Sequence, residues 1–211
     1  MNHTRAETLP GSAWAGGQSP LAIDKKKLGM WLFLLSDSLT FSCLLIGYSY
    51  VRLGSPNWPR PFEFYPAIIK ATLMTVILLS SSLTMVLGVH EAHKGRRGAT
   101  VKYILLTMLG GVLFDVIHIS EWIHLITVEH VTPFSNPWGS PLLGGSFFGL
   151  TGLHMLHVTI GVIYLGIVAW AFGRRKISSM DVEVSGLYWH FVDLVWMFIF
   201  PLIYLINVAP K

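Results

Sequence analysis

Histidines and carboxylates in the most apolar parts of the chain are the side chains best suited to do chemistry. His154 and His157 lie in a run, residues 130–173, that contains no Asp, Glu, Lys or Arg. His190 and Asp193 follow in the next apolar segment. Ionisable side chains are costly to place in lipid, so we expect them to face protein, water or a bound polar group. They are therefore the first candidates for functional residues.

Three kinds of chemistry are open to these side chains, and the residue types alone do not choose between them. Histidines that converge from different helices can hold a haem or a metal ion. The candidate ligands are His118, His154, His157 and His190. Carboxylates and histidines inside a membrane can also form a path for protons or ions. In the third interpretation the groups satisfy one another and fix the rotation of each helix, which is a structural role.

Long apolar segments must position these residues. The chain has 211 residues, of which 53% are hydrophobic and 12% charged, and its mean hydropathy is +0.58. Apolar segments of about 18 residues or more are candidates for membrane-spanning helices. Five are found, at residues 28–51, 71–90, 103–127, 142–172 and 184–208. The sequence predicts an all-α fold: residues 28–211 form an integral membrane bundle of five transmembrane helices, preceded by a flexible cytoplasmic tail, residues 1–27.

The distribution of Lys and Arg predicts the orientation of the bundle. Eleven of the 15 Lys and Arg residues lie in the tail and in the second and fourth loops. Because cytoplasmic loops are enriched in these residues, we expect the N-terminus inside and the C-terminus outside. Basic residues at the inner ends of the spans are expected to contact anionic lipid headgroups, with no role for nucleic acid. These residues are Arg96, Arg97, Arg174, Arg175 and Lys176.

The rise along a helix gives each ionisable residue an approximate depth in the membrane. Seven are expected within about one turn of the middle of their spans: Asp37, Asp115, His118, His154, His157, His190 and Asp193. Because residues three apart lie on similar sides of a helix, pairs such as His154 and His157 are expected to line one interior seam. Asp37 is expected within direct or single-water reach of His157, across a contact lined by small residues such as Ser38 or Gly161.

Small residues are expected where helices approach one another closely. In a membrane there is little hydrophobic drive between helices, so Gly, Ser and Thr allow the backbones to pack. We assign a packing role, without chemistry, to residues 80–82 and Thr84 in the second span, Gly110 and Gly111 in the third, and Gly149, Gly152 and Gly161 in the fourth.

Two ordered motifs resemble subunit III of the haem-copper oxygen reductases. Residues 145–161 contain Thr-Gly-Leu-His-Met-Leu-His-Val and resemble the family's Thr-Gly-x-His-x-x-His-Val segment. Residues 188–196, Tyr-Trp-His-Phe-Val-Asp-Leu-Val-Trp, resemble its closing signature. Residues 27–37 are similar to the opening helix, and residues 79–82 with His90 to the next. The resemblance covers nearly all of the chain after the tail, and the length is similar to the short form of five spans.

The resemblance implies a non-catalytic subunit of a respiratory terminal oxidase, which reduces oxygen to water and translocates protons. In this family the haems and copper are held by subunit I and, where present, subunit II, so we expect no catalytic residue and no metal site here. The single cysteine, Cys43, allows neither an intrachain disulfide nor a cysteine-pair metal site. The implied roles are to stabilise subunit I, hold phospholipid and sustain proton uptake, and the seven ionisable residues near the middle of the spans are structural or proton-uptake candidates.

The resemblance also implies partners and a location. Subunit I is the expected main contact, beside subunit II, subunit IV, membrane phospholipids and a respiratory supercomplex, in the bacterial cytoplasmic (inner) membrane. Cytochrome c oxidase members commonly have Glu where this chain has Asp37, and the aspartate is similar to quinol oxidase members. Two other functions remain open, which are a subunit III homologue associated with nitric oxide reductase and an independent haem-binding membrane cytochrome.

Overall fold

Five helices that are long and apolar enough to cross a membrane make up most of the described chain. The structure is a computed structural model that describes residues 24–135, 137–138 and 140–209. The helices are α1 (Lys25–Gly54), α2 (Ile69–His93), α3 (Arg97–Thr127), α4 (Pro141–Gly173) and α5 (Ser179–Ile199). Short irregular helical turns precede α2 at Phe64–Ile68 and continue α5 at Phe200–Tyr204 and Leu205–Asn207. The predicted all-α fold with five spans is confirmed.

Helix α1 begins within the predicted tail, of which residues 1–23 lie outside the described residues. The side chain of Asp24 accepts a hydrogen bond from the backbone N–H of Lys26 at 2.8 Å, which caps the first turn. The ammonium groups of Lys26 and Lys27 pair with Asp181 and Glu183 at 2.5 and 2.6 Å. The helix therefore starts before the apolar stretch because its first charged residues are capped and paired.

Helix α5 lies at the centre of the bundle. It packs against α1, α2 and α4, while α2, α3 and α4 pack in sequence beside it, and α1 packs mainly against α5 and α4. Trp189 and Trp196 of α5 are fully buried. Their indole N–H groups donate to Ser81 Oγ at 3.0 Å and to Thr75 Oγ1 at 2.9 Å on α2. These bonds satisfy the indoles inside the bundle and fix the rotation of α5 against α2.

Close helix contacts occur at most of the predicted small residues. A Cβ atom at Gly111 would lie 2.5 Å from the ring of Trp189, and one at Gly161 would lie 3.0 Å from the same ring. A Cβ atom at Gly110 would lie as close to Ser81, and one at Gly152 as close to the ring of Trp122. Gly149 is an exception, since nothing lies within 4 Å of the same position there. The packing prediction is therefore wrong for Gly149, which lines a pocket with Leu44 of α1 and makes no close helix contact.

The predicted outer ends of α1 and α5 are tied together through Asn207. Its side-chain amide donates to Tyr48 Oη at 2.7 Å, and its amide oxygen accepts from the Trp58 indole at 3.0 Å. The backbone of Phe62 pairs with Asn207 and Ala209 on either side, at 3.2 and 2.9 Å. The loop between α1 and α2 is thus ordered against the end of the chain, and Phe62 is buried rather than exposed.

Candidate functional site: intramembrane carboxylates and histidines

Asp37 of α1 and His157 of α4 form the clearest carboxylate–histidine contact in the span region. His157 Nε2 lies 3.3 Å from Asp37 Oδ1, within ion-pair distance. The two side chains are 14% and 13% exposed, so both are largely withdrawn from the surface. Residue depth along two separate helices predicted this proximity, and the structure confirms it.

The other ring nitrogen of His157 determines which protonation states suit this contact. His157 Nδ1 lies 2.7 Å from the carbonyl oxygen of Leu153. A carbonyl can only accept, so Nδ1 carries a proton and a neutral ring leaves Nε2 as an acceptor. With a proton on Nε2 or on Asp37 Oδ1, the 3.3 Å contact is attractive. Without that proton, the lone pair of Nε2 would face a carboxylate. The geometry therefore favours one proton held between the two residues.

Aromatic groups, rather than small residues, surround this contact. The ring of Phe41 lies edge-on to His157 at 5.3 Å between centroids, and the Tyr188 hydroxyl donates to the His157 carbonyl at 3.0 Å. The expectation that Gly161 lines the contact is wrong, because Gly161 packs against Tyr188 and a tryptophan of α5. Ser38 donates to a carbonyl of its own helix and borders the groove between α1 and α5.

His118 and His154 lie elsewhere, in the core between α3, α4 and α5. Both are fully buried, and within the described residues none of their ring nitrogens has a hydrogen-bond partner. His154 stacks on Trp196 with 5.1 Å between ring centroids, and Phe114 lies edge-on to both imidazoles at 5.4 and 5.5 Å. The interpretation in which the ionisable groups satisfy one another is therefore wrong for these two histidines.

A haem does not fit beside His118 and His154. The rings of Phe114 and Trp196 pack against both imidazoles at 5.1–5.6 Å between centroids, and Trp122 lies 5.9 Å from His118. These rings fill the space that a macrocycle would need. Among the residues with described positions, no three His, Cys, Asp or Glu side chains are grouped closely enough to hold a metal ion.

Asp115 bonds to a hydroxyl at the bundle surface, away from the histidine core. Its Oδ2 accepts a hydrogen bond from Thr159 Oγ1 at 2.9 Å, and Thr159 is exposed on α4. His118 is on the same helix but is buried, so the expected pair of Asp115 and His118 does not share one environment. Residues three apart differ by about 60° around a helix, which is enough to face different neighbours.

His190 and Asp193 face α2 rather than a shared seam with α4. Ser82 Oγ on α2 lies 2.9 Å from His190 Nδ1. Asp193 is buried, and its Oδ1 has no hydrogen-bond partner among the described residues. The seven predicted residues thus occupy several separate contacts, and the expectation of one interior seam is wrong. Depth was predicted correctly for Asp37 and His157, whereas the rotation of each helix decides which partner a residue meets.

Glu121 is an intramembrane carboxylate that the sequence reasoning missed. It is 5% exposed, and its Oε2 accepts a hydrogen bond at 2.8 Å from Tyr204 Oη, which is fully buried. The signal was present, because a Glu inside the third predicted span, residues 103–127, is as unusual in lipid as an Asp. Asn207 was missed as well, since an uncharged amide near a span end gives no such signal.

Three of the predicted headgroup-binding residues follow α4 in one turn. Arg174 and Lys176 lie over the ring of Trp170, with their charged groups 5.0 and 4.6 Å from its centroid, and Arg175 lies between them in sequence. Trp170 is half exposed. Cations that stack on an interfacial tryptophan are held close to the membrane surface.

The other two predicted headgroup residues are already engaged by the protein. Arg96 lies 3.3 Å from the carboxylate of Glu91, and Arg97 donates to the carbonyl of Phe172 at 3.4 Å. The Arg97 guanidinium also lies 5.5 Å from the centroid of the Phe172 ring. The two Arg97 contacts join the start of α3 to the end of α4, so both basic loops lie at the same end of the bundle.

Comparison with known proteins assigns the family. The family model for cytochrome c oxidase subunit III matches residues 9–208. The chain is 31% identical over 185 residues to quinol oxidase subunit 3 of Bacillus subtilis, covering 86% of this chain and 87% of the relative. It is 32% identical to cytochrome bo(3) ubiquinol oxidase subunit 3 of Pseudomonas aeruginosa, covering 85% and 84%. Cytochrome c oxidase subunit 3 of Bacillus subtilis is 29% identical, covering 97% and 96%. The chain belongs to the cytochrome c oxidase subunit III family and is a multi-pass membrane subunit of a haem-copper oxidase.

Proposed function

We propose that this subunit is non-catalytic and that it stabilises subunit I, holds phospholipid and supports proton uptake. The observation that carries the proposal is the contact of Asp37 with His157, a largely buried pair whose geometry favours a single shared proton. Such a pair satisfies two polar groups that are costly when alone in an apolar medium. The pair can also accept or release a proton while both side chains stay in place.

The outer faces of the helices support a role in covering a partner and holding lipid. Leu32, Leu39 and Ile46 on α1 are 60%, 60% and 67% exposed. Apolar side chains this exposed are normal where a helix faces acyl chains or another membrane subunit. We propose subunit I as the main partner, with subunits II and IV as further neighbours, in the bacterial cytoplasmic membrane.

The redox chemistry belongs to the partner subunits in this proposal. Haem and copper supply electron transfer and oxygen reduction when bound in subunits I and II. In this chain the aromatic packing around His118 and His154 leaves no space for a haem, which supports a subunit without a redox centre. The subunit contributes protein contacts, lipid and a protonatable pair.

Purification through a tag on this chain tests the proposal. We expect the purified complex to contain haem and copper, to consume oxygen, and to show a reduced-minus-oxidised haem spectrum. The separated chain should show no such spectrum. Stoichiometric haem in the separated chain that is lost on changing His154 or His157 would instead support an independent cytochrome. A complex that reduces nitric oxide and consumes no oxygen would support the nitric oxide reductase alternative.

A further inference from the structure

Two fully buried histidines and a neighbouring indole carry polar atoms that the bundle does not satisfy. Both ring nitrogens of His118, both of His154 and the indole nitrogen of Trp122 lack a hydrogen-bond partner among the residues with described positions. The two histidines are 0% exposed. Buried polar atoms in proteins are nearly always bonded to protein or to ordered water, because an atom left alone is costly. These nitrogens therefore need a partner.

The aromatic side chains around the two histidines cannot supply that partner. Phe114 lies edge-on to both imidazoles, and Trp196 stacks on His154. Phe114 has no polar atom, and the indole N–H of Trp196 already donates to Thr75. The face of an aromatic ring attracts an N–H only weakly, and it offers nothing to a nitrogen that must accept. The missing partner is thus a bound molecule rather than one of these side chains.

The nitrogens determine which molecule fits. A neutral imidazole has one N–H donor and one acceptor nitrogen, and an indole only donates, so the ligand must both donate and accept. It must also be small, because Phe114 and Trp196 pack against both histidines at 5.1–5.6 Å between ring centroids. Water meets both conditions, since a buried water typically makes two to four hydrogen bonds to otherwise unsatisfied groups.

We propose that His118 and His154 bind internal water, which joins α3 to α4 in the core of the bundle. At least two molecules are needed, because the two nitrogens of one imidazole point in different directions and a single water cannot bond to both. Each water accepts from an N–H and donates to an acceptor nitrogen, and the Trp122 indole donates to one of them. The site is separate from the contact of Asp37 with His157, in which two side chains satisfy each other.

A density map of the purified oxidase complex tests the site directly. In a cryo-electron microscopy map at a resolution that shows ordered water, we expect water within about 2.7–3.2 Å of a ring nitrogen of each histidine. A map that shows ordered water elsewhere in the subunit but none at these rings would overturn the proposal. So would a direct hydrogen bond between the two imidazoles, or density for a metal ion.

A double-mutant cycle on the same complex provides a second readout, the midpoint for dissociation of the subunit on heating. His118→Leu and His154→Leu should each lower the midpoint, because the water loses one partner and the other histidine stays buried. The double variant removes both partners, so its midpoint should fall by less than the sum of the two single falls.

The matched control cycle combines His154→Leu with Thr40→Ala, whose exposed hydroxyl bonds only within α1. Its two falls should add. Additive falls in the histidine cycle would overturn a shared water site. If a leucine variant does not assemble, the map of the unmodified complex decides alone. Neither readout measures oxygen consumption, so the result is independent of the proposed function.

Discussion

Two substitutions separate the structural role of the contact between Asp37 and His157 from its role in proton exchange. Asp37→Ala removes the group that faces His157 Nε2, while Nδ1 keeps its hydrogen bond to Leu153. Asp37→Asn places an amide N–H donor in nearly the same volume. This donor can bond to the neutral ring but cannot exchange a proton with it. The two variants should therefore differ in stability and agree in proton behaviour.

The burial of the pair sets the expected magnitude. His157 is 14% exposed, so Nε2 has little access to water once its partner is gone. An unsatisfied buried polar atom costs about 1–3 kcal/mol, and we expect Asp37→Ala to lower the stability of the subunit in the complex by this amount. Asp37→Asn keeps a donor for Nε2 and should cost less than about 1 kcal/mol. Haem content should stay the same in both variants, because the proposed function places the haems in partner subunits.

Two measurements on the purified complex check these values. The midpoint for dissociation of the subunit on heating reports stability, and the number of turnovers before inactivation reports proton supply. Thr40→Ala is the matched control, since it removes an exposed hydroxyl from the same helix that bonds only within α1. Asp37→Asn should keep the dissociation midpoint but shorten the working life of the oxidase. A normal working life in Asp37→Asn would refute the proton role, and a normal midpoint in Asp37→Ala would refute the structural one.

Three further predictions concern topology, lipid and the second buried carboxylate. Reporters fused at Gly95 and Arg175 should both be cytoplasmic, because both loops carry clustered positive charge; reporters on opposite sides would contradict the predicted orientation. Changing Arg174 and Arg175 together to Gln should lower the amount of co-purifying anionic phospholipid, since each basic residue contributes about 1 kcal/mol near a charged surface; unchanged lipid content would contradict it. Tyr204→Phe should destabilise the subunit by about 1–3 kcal/mol, because it removes the donor to Glu121; an unchanged dissociation midpoint on heating would show that this bond contributes little.

Helix number and residue depth were the features that the sequence could predict. Apolar segment length is set by bilayer thickness, and the rise along a helix is nearly constant, so the heights of Asp37 and His157 could be compared across two helices. The first residues of the helices were predicted less accurately. Charged residues such as Lys26 and Lys27 extend α1 because they pair with α5, and such pairing is invisible in a hydropathy profile.

Helix rotation could not be predicted, and it decides the partners of the remaining site residues. His118 and His154 meet aromatic rings because Trp196 and Phe114 occupy the space between their helices. All five spans are rich in apolar residues, so polarity gives little indication of which side faces inward. The hydroxyl partners of His190 and Asp115 could not be predicted either, since Ser and Thr are common in spans for packing alone.

The short separation of Asp37 and His157 has an electrical consequence. With one proton between them, the pair carries no formal charge whether it is two neutral groups or an ion pair, so moving the proton changes a dipole rather than a charge. The transfer covers at most the 3.3 Å between Nε2 and Oδ1. This is about one tenth of a hydrocarbon thickness of about 30 Å, so 100 mV across the membrane does at most about 0.25 kcal/mol of work on it. The position of the shared proton between the two residues should therefore change little as the respiratory membrane charges and discharges.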